Sequence, residues 1–322
     1  MKSLSDYRND IELAIKDLNL PSENPLSLYE PIKYALSSGG KRLRPVLTLM
    51  AADAFGNKSS VAVIPALGIE TFHNFTLLHD DVMDKSDTRR GRQTVHKKYD
   101  ENTAILSGDT MLTLATEYIS SVDTDILRNV LDTFNKMAIN VYEGQALDMD
   151  FEKQTDIPAD DYIEMIGLKT GALLGAAVKI GALIGGATET DADMMYDFGF
   201  NIGIAFQIQD DWLDTFGDPS SFGKSIGGDI NNGKKTFLYV NAMRSGNQFA
   251  EALKVAYEIP AGEKRISTVK KLFESLDITE TCKKAVNHYL KLALKSLNRT
   301  NLSDDSKDGF HSFAEKLIGR KK

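Results

Sequence analysis

The chain is poor in the residues that make disulfides, kinks and strands. It holds one cysteine, Cys282, in 322 residues. A lone thiol excludes an intramolecular disulfide and a thiolate metal cluster, and it suits a reducing cytoplasm. Prolines number eight, and none stands between Pro65 and Pro158, which leaves room for several long helices in succession. Positive charge is not in excess: the formal net charge is −8. Without a basic stripe, nucleic acid is set aside as a partner. No Ser/Gly-rich or Pro-rich linker and no low-complexity run interrupts the chain. A single domain over residues 1–322 is therefore expected, with two closely packed helical subdomains as the alternative. The opening MKSLSDYRND lacks the apolar core of a signal peptide. The most apolar window, TGALLGAAVKIGALIGGA at 170–187, is rich in Gly and Ala and carries Lys179. A tightly packed internal helix fits it better than a membrane span. A cytoplasmic protein with no transmembrane segment is the expectation.

Strand signals are equally scarce. There is no sustained apolar/polar alternation and no Asn-Gly hairpin between β-branched runs. Helical periodicity is present instead. Ile126, Val130, Leu131, Phe134, Met137, Ala138 and Val141 share one broad face. Residues 265–297 read as two further amphipathic helices. The fold expected is an all-α bundle, broken near 21–25, 54–60, 152–161 and 216–235. The last break is long enough to be a lid or a binding element.

Against this background, negative charge is concentrated in an unusual place. LLHDDVMDKSDTRRGRQ, residues 77–93, gathers Asp80, Asp81, Asp84 and Asp87 and then turns basic at Arg89. On a helix, offsets of four and seven put Asp84 and Asp87 within roughly 40° of Asp80, with His73 on the same stripe. Like charges on one face repel, so a compensating cation is expected. The segment 203–214, GIAFQIQDDWLD, repeats the spacing with Asp210, Asp211 and Asp214, and Gln207 lies three residues earlier. One DDxxD alone is more often a solvated helix end. Two copies, each ending a buried run, are hard to attribute to solvation. Oxygen ligands without nearby thiols select a hard cation, Mg²⁺ or, as its substitute, Mn²⁺. Magnesium keeps waters and bridges carboxylates to phosphates, so two clusters imply a polyphosphate substrate.

Basic residues in glycine-containing loops point the same way. SSGGKRLRP at 37–45 offers Lys41, Arg42 and Arg44, without the spacing of a Walker A loop. Arg89 and Arg90 follow the first cluster, and Lys169-Thr170, Lys224, Lys234 and Lys235 come later. Any one of these lysines is as well explained as a solvated charge. Together they suit diphosphate, with arginine as a bidentate donor and lysine as a point charge.

In the order GGKRLRP, HDDVMDKSDTRRGRQTVH, GQALD, LKTG, QxxDDWLD and GK…GGD…GKKT, spanning Gly39 to Thr236, the chain resembles the trans-isoprenyl diphosphate synthases, or polyprenyl synthetases. That resemblance implies an isoprenoid synthase-type helical bundle around a deep central cavity, usually homodimeric, with the two aspartate motifs facing across its mouth. It implies that Asp80, Asp84 and Asp210 bind two or three Mg²⁺ directly, with Asp81, Asp211 and Asp214 as further or outer ligands. Arg89, Lys169, Lys224 and Lys234 would assist in holding an allylic diphosphate. Lys41, Arg44, His73 and Arg90 would bind isopentenyl diphosphate. Gln207, Thr170 and the Lys169 carbonyl would face the allylic cation. No enzyme nucleophile is implied, and Cys282 lies outside every motif. The family's usual prolines are replaced by Gln93, Ser225 and Phe237-Leu238, beside charged positions that are all retained.

Two rival readings remain. A class I terpene cyclase would bind one diphosphate, whereas the second DDxxD and the Lys41/Arg44 set argue for two substrates. A non-catalytic partner subunit generally lacks one cluster, and both are complete here. Product length in the family depends on the fourth and fifth residues before the first motif, here Thr76 and Phe75. One aromatic there implies C20 geranylgeranyl diphosphate, with C15 farnesyl diphosphate close behind.

Overall fold

Relieved of proline between residues 65 and 158, the chain builds long helices there. The structure, a computed structural model, describes residues 2–21, 25–218 and 226–319. In chain order come α1 (Leu4–Lys16), α2 (Leu26–Leu36), α3 (Leu43–Gly56) and α4 (Val63–Met83). A hairpin of two-residue strands, β1 (Thr88–Arg89) and β2 (Arg92–Gln93), follows. Next are α5 (Val95–Lys98), α6 (Glu101–Ile119), α7 (Thr124–Glu152) and α8 (Ala159–Ile166). A π-helical turn, Gly167–Gly171, leads into α9 (Ala172–Gly185) and α10 (Glu189–Phe216). The remainder is α11 (Gly228–Asn232), α12 (Phe237–Met243), α13 (Asn247–Glu258), α14 (Glu263–Ser275), α15 (Ile278–Asn298) and α16 (Asp304–Ile318). The all-α expectation holds, and the small hairpin is the only sheet among the described residues.

Contacts divide the chain into two compact units. The first comprises residues 1–136, 176–196 and 300–306, and the second 137–175, 197–299 and 307–322. In the first, α4 lies close on α6. A Cβ at Gly108 would stand 2.2 Å from the His79 ring, so only glycine admits that imidazole between the helices. Phe72 and Phe134 are fully buried there, with ring centroids 5.3 Å apart. Burying such a ring contributes about 2–3 kcal/mol. The second unit has its own core, built on Phe151, Tyr162, Ile166, Ile208, Leu238 and Phe273. The two amphipathic helices expected at 265–297 are α14 and α15, separated where Asp277 takes a left-handed φ of 49°.

The apolar stretch of the sequence belongs to a continuous helical segment, Ala159–Gly185, long and apolar enough to cross a membrane. Its most apolar window is 83% buried inside the protein, as an internal helix requires.

One expectation needs correction. Helix α4 ends at Met83, Asp84 is its C-cap, and Lys85 turns left-handed at φ 53°. Asp87 is therefore off the helical stripe and pairs with Lys97 at 2.9 Å. The turn then feeds the hairpin, whose two-residue loop, Arg90-Gly91, has φ of 53° and 74°. Positive φ at both positions is the type I′ geometry that suits strand twist.

Candidate active site

In the first unit, α4 presents Asp80 half-buried and Asp84 exposed at its C-terminal end. Asp81, one residue round the helix, is 5% exposed and accepts from Arg89 at 2.7 Å. Burial pushes its carboxyl up to about 6, against the pull of Arg89. The hairpin that carries Arg89 is pinned to the loop after α2. Arg90 Nη1 donates to Gly39 O and to Ser38 Oγ, and Arg92 donates to Ser37. Lys41 is exposed on the same loop. Arg44, in the first turn of α3, meets His73 Nε2 of α4 at 3.1 Å, while its own Nε is buried without a partner. Burial, with Arg44 and Arg90 nearby, holds His73 well below the ordinary histidine range. The ring is thus neutral, and Nε2 accepts from Arg44. Burial and Arg90 also bring Arg44 down to about 10, against the pull of Glu70. Arg44, His73 and Arg90 thus lie against the loop that carries Lys41.

In the second unit, α10 carries Gln207, Asp210, Asp211 and Asp214. Asp210 is half-buried. Asp211 is 3% exposed and accepts from three donors: the Tyr162 hydroxyl, the Phe237 amide at 2.8 Å and Gln207 Nε2 at 2.9 Å. Burial raises its carboxyl to about 7 in spite of them. Asp214, 7% exposed, accepts from the Asp229 amide at the start of α11. The π-helical turn aims Lys169 and Thr170. Lys169 Nζ donates to Asp148 at 2.6 Å, and Thr170 Oγ1 donates to Gln207 Oε1 at 3.1 Å. Such turns interrupt the regular ladder and recur at functional sites. Gly144 of α7 makes this one possible, since a Cβ there would lie 2.4 Å from Lys169 N. Lys234 donates to Glu152 at 2.9 Å and approaches Asp148 at 3.8 Å.

In both units, then, the second aspartate of the DD pair is buried and met by donors from elsewhere in the chain, and the first is half-buried beside it. Residues 25–276 match the polyprenyl synthetase family. The chain belongs to that family. A geranylgeranyl diphosphate synthase of Methanosarcina mazei is 42% identical over 245 residues, covering 76% of this chain and 75% of the relative. One from Sulfolobus acidocaldarius is 36% identical over 313 residues, covering 95% and 94%. A crystal structure of a geranylgeranyl pyrophosphate synthase matches both chains over their full length, with 41% identity and a TM-score of 0.95. The fold is thus the all-α fold of the polyprenyl synthetases, as the motifs implied.

Among the described residues, no three acidic, histidine or cysteine side chains converge on one point. Neither cluster is a closed protein cage for a cation. That donor set fits Mg²⁺, which takes one or two carboxylates and fills its octahedron with water and phosphate oxygens. Lys224 lies outside the described residues. Sequence reasoning missed Asp148 and Glu152, the acidic partners of the two lysines, although Asp148 closes the GQALD motif and Glu152 stands one helical turn beyond it. It also missed Tyr162, which no local pattern distinguishes from a core aromatic. Cys282 is buried, and burial pushes its thiol up, so it is no nucleophile.

Proposed function

We propose that the protein is a Mg²⁺-dependent prenyltransferase. It joins isopentenyl diphosphate head-to-tail to an allylic diphosphate (dimethylallyl, geranyl or farnesyl) and makes C20 geranylgeranyl diphosphate, with C15 as the nearest alternative. The observation that carries this reading is the sorting of both DDxxD motifs. Asp81, Asp211 and Asp214 are the buried members of their motifs and brace them, and Asp80, Asp84 and Asp210, less deeply buried, would hold metal-bound diphosphate. Family membership and the names of the relatives support the same chemistry.

Bound at these carboxylates, Mg²⁺ supplies Lewis acidity and neutralises charge on the departing diphosphate. The chain's own residues do the rest. Arg89, Lys169 and Lys234 are held by Asp81, Asp148 and Glu152, and the allylic diphosphate recruits them, with Lys224, as charge-assisted donors. Lys41, Arg44, His73 and Arg90 hold the second diphosphate and orient the isopentenyl double bond toward the allylic carbon. The Thr170 hydroxyl, the Gln207 amide and the Lys169 carbonyl present dipoles to the developing cation. The allylic C–O bond breaks, the double bond attacks, and a proton leaves to the released diphosphate. The apolar cavity that the family resemblance implies would exclude water, which would otherwise quench the cation.

A homodimer in the cytoplasm is proposed. The dimer is supported by exposed apolar side chains within the first unit, Ile105 at 40% and Leu106 at 60% on α6. The deciding experiment incubates purified protein with Mg²⁺, isopentenyl diphosphate and each allylic diphosphate, then sizes the products. A cyclase would consume one allylic diphosphate with no need for the isopentenyl substrate, and a partner subunit would turn over nothing.

A further inference from the structure

Arg42 sits between two residues assigned to diphosphate, Lys41 and Arg44, yet its side chain points into the protein. Only 1% of that side chain is exposed. Its guanidinium reaches three other helices. Nε donates to Glu12 of α1 at 3.0 Å, Nη1 to Glu70 of α4 at 2.7 Å, and Nη2 to the carbonyl of Leu36, the last residue of α2, at 2.8 Å. Glu70 is itself buried, and Asn74 Nδ2 donates to the same Oε1 at 3.0 Å. The backbone of Arg42 is left-handed, φ 50°, just before α3 begins. A non-glycine residue held there is strained unless its surroundings fix it.

A buried ion pair is an inefficient way to stabilise a core, because apolar side chains of the same volume usually do as well or better. Its distinguishing property is geometric: a planar fork fixes three directions at once. The loop it closes needs that. Between Leu36 and Arg42 lie Gly39 and Gly40, with φ of 77° and 129°, and glycines restrain a backbone least. Arg90 grips the loop at Gly39, and Arg42 ties its far end to the last carbonyl of α2. Lys41 stands between these two anchors. Arg44 lies two residues beyond, in the first turn of α3.

We propose that Arg42 and Glu70 are positioning residues for the diphosphate of the isopentenyl substrate. Their fork sets where Lys41 and Arg44 present their charge. The proposal rests on the reading of Lys41 and Arg44 as ligands of that diphosphate.

The test measures both Michaelis constants in Arg42→Lys and Glu70→Gln, with Lys41→Ala as control and melting temperature followed in parallel. Lysine keeps the charge and loses the fork; glutamine keeps an acceptor and loses the charge. Each variant is expected to raise KM for isopentenyl diphosphate about tenfold, with kcat and the allylic KM within about twofold of wild type. A purely structural role would lower stability and move both substrates together, or neither. Either result, with Lys41→Ala showing the selective rise, overturns the proposal. If Lys41→Ala leaves KM unchanged, the assignment of this loop to the isopentenyl substrate fails, and the proposal falls with it. Should Arg42→Lys not fold, Glu12→Gln serves in its place, since the Glu12 side chain is 39% exposed. It should give the same selective rise, smaller in size, and unchanged constants in both glutamine variants would overturn the proposal.

Discussion

Arg89 closes on Asp81 through Nε and Nη2, both 2.7 Å from the same carboxylate oxygen. The abrupt change from acid to base after the first aspartate motif is thus partly its own compensation. The arginine pairs with the most buried aspartate of the motif, and in the proposed function a cation from outside the protein meets Asp80 and Asp84. Removing Arg89 leaves Asp81 buried without its partner, which favours its protonated form and weakens the field of the whole cluster. Arg89→Ala should lower kcat/KM by about two orders of magnitude and raise the Mg²⁺ concentration for half-maximal rate, with partial recovery in Arg89→Lys. A magnesium titration of both variants checks this. An unchanged metal requirement in the alanine variant would show that the pair only braces the fold.

Asp80 and Asp210 are the leading residues of their motifs, and each is half-buried. EDTA should abolish turnover and Mg²⁺ restore it. Asp80→Ala and Asp210→Ala should each lower kcat by about two to four orders of magnitude, with circular dichroism and melting temperature close to wild type. Steady-state rates near wild type in either variant would remove the metal role from that residue.

Much of this was legible in the sequence because it depends on local spacing. The proline-free interval announced α4, α6 and α7, and three- and four-residue spacing put Asp210, Asp211 and Asp214 on one helix. What escaped was set by contacts distant in sequence. The hairpin is too short for alternation to register, and its turn uses Arg90 at positive φ where a pattern search expects asparagine. The π-helical turn at Lys169 depends on Gly144, twenty-five residues earlier. The Arg42–Glu70 pair spans 28 residues, and Asp87 left its helical stripe because Lys85 ends the helix. The burial of the second aspartate in each motif, and the donors that meet it, are set by residues distant in sequence.

Asp211 makes a pH-dependent prediction. Its carboxyl stands near 7 in the folded protein against an ordinary 3.8, with burial as the main cause. The native state therefore keeps a proton that the unfolded chain loses between about pH 4 and 7, and this residue lowers stability as pH rises through that window. In EDTA, the stability of wild type relative to Asp211→Asn should fall by about 1–3 kcal/mol between pH 5 and pH 8. Thermal melts of both proteins across that range measure it. A constant difference would mean that Asp211 is ionised throughout.

Phe75 and Thr76 are the proposed determinants of product length. Phe75 is 5% exposed, and its ring meets Phe72 at 5.5 Å and His79 at 4.8 Å, both edge-on. Thr76, one turn below Asp80, is half-buried, and its hydroxyl donates to the His73 carbonyl. Phe75 thus belongs to an aromatic cluster, and its removal costs stability whatever its part in catalysis, about 3–5 kcal/mol for phenylalanine to alanine. If that cluster is also the floor for the growing chain, Phe75→Ala should shift products beyond C20, because each added isoprene buries apolar surface in the space released. Thr76→Phe, which adds bulk on the face beneath Asp80, should shorten products toward C15. Chromatography of the dephosphorylated products from wild type and both variants reads the outcome, at a temperature where all three remain folded. A loss of stability in Phe75→Ala with an unchanged product distribution would make Phe75 a core residue only and move the length determinant elsewhere.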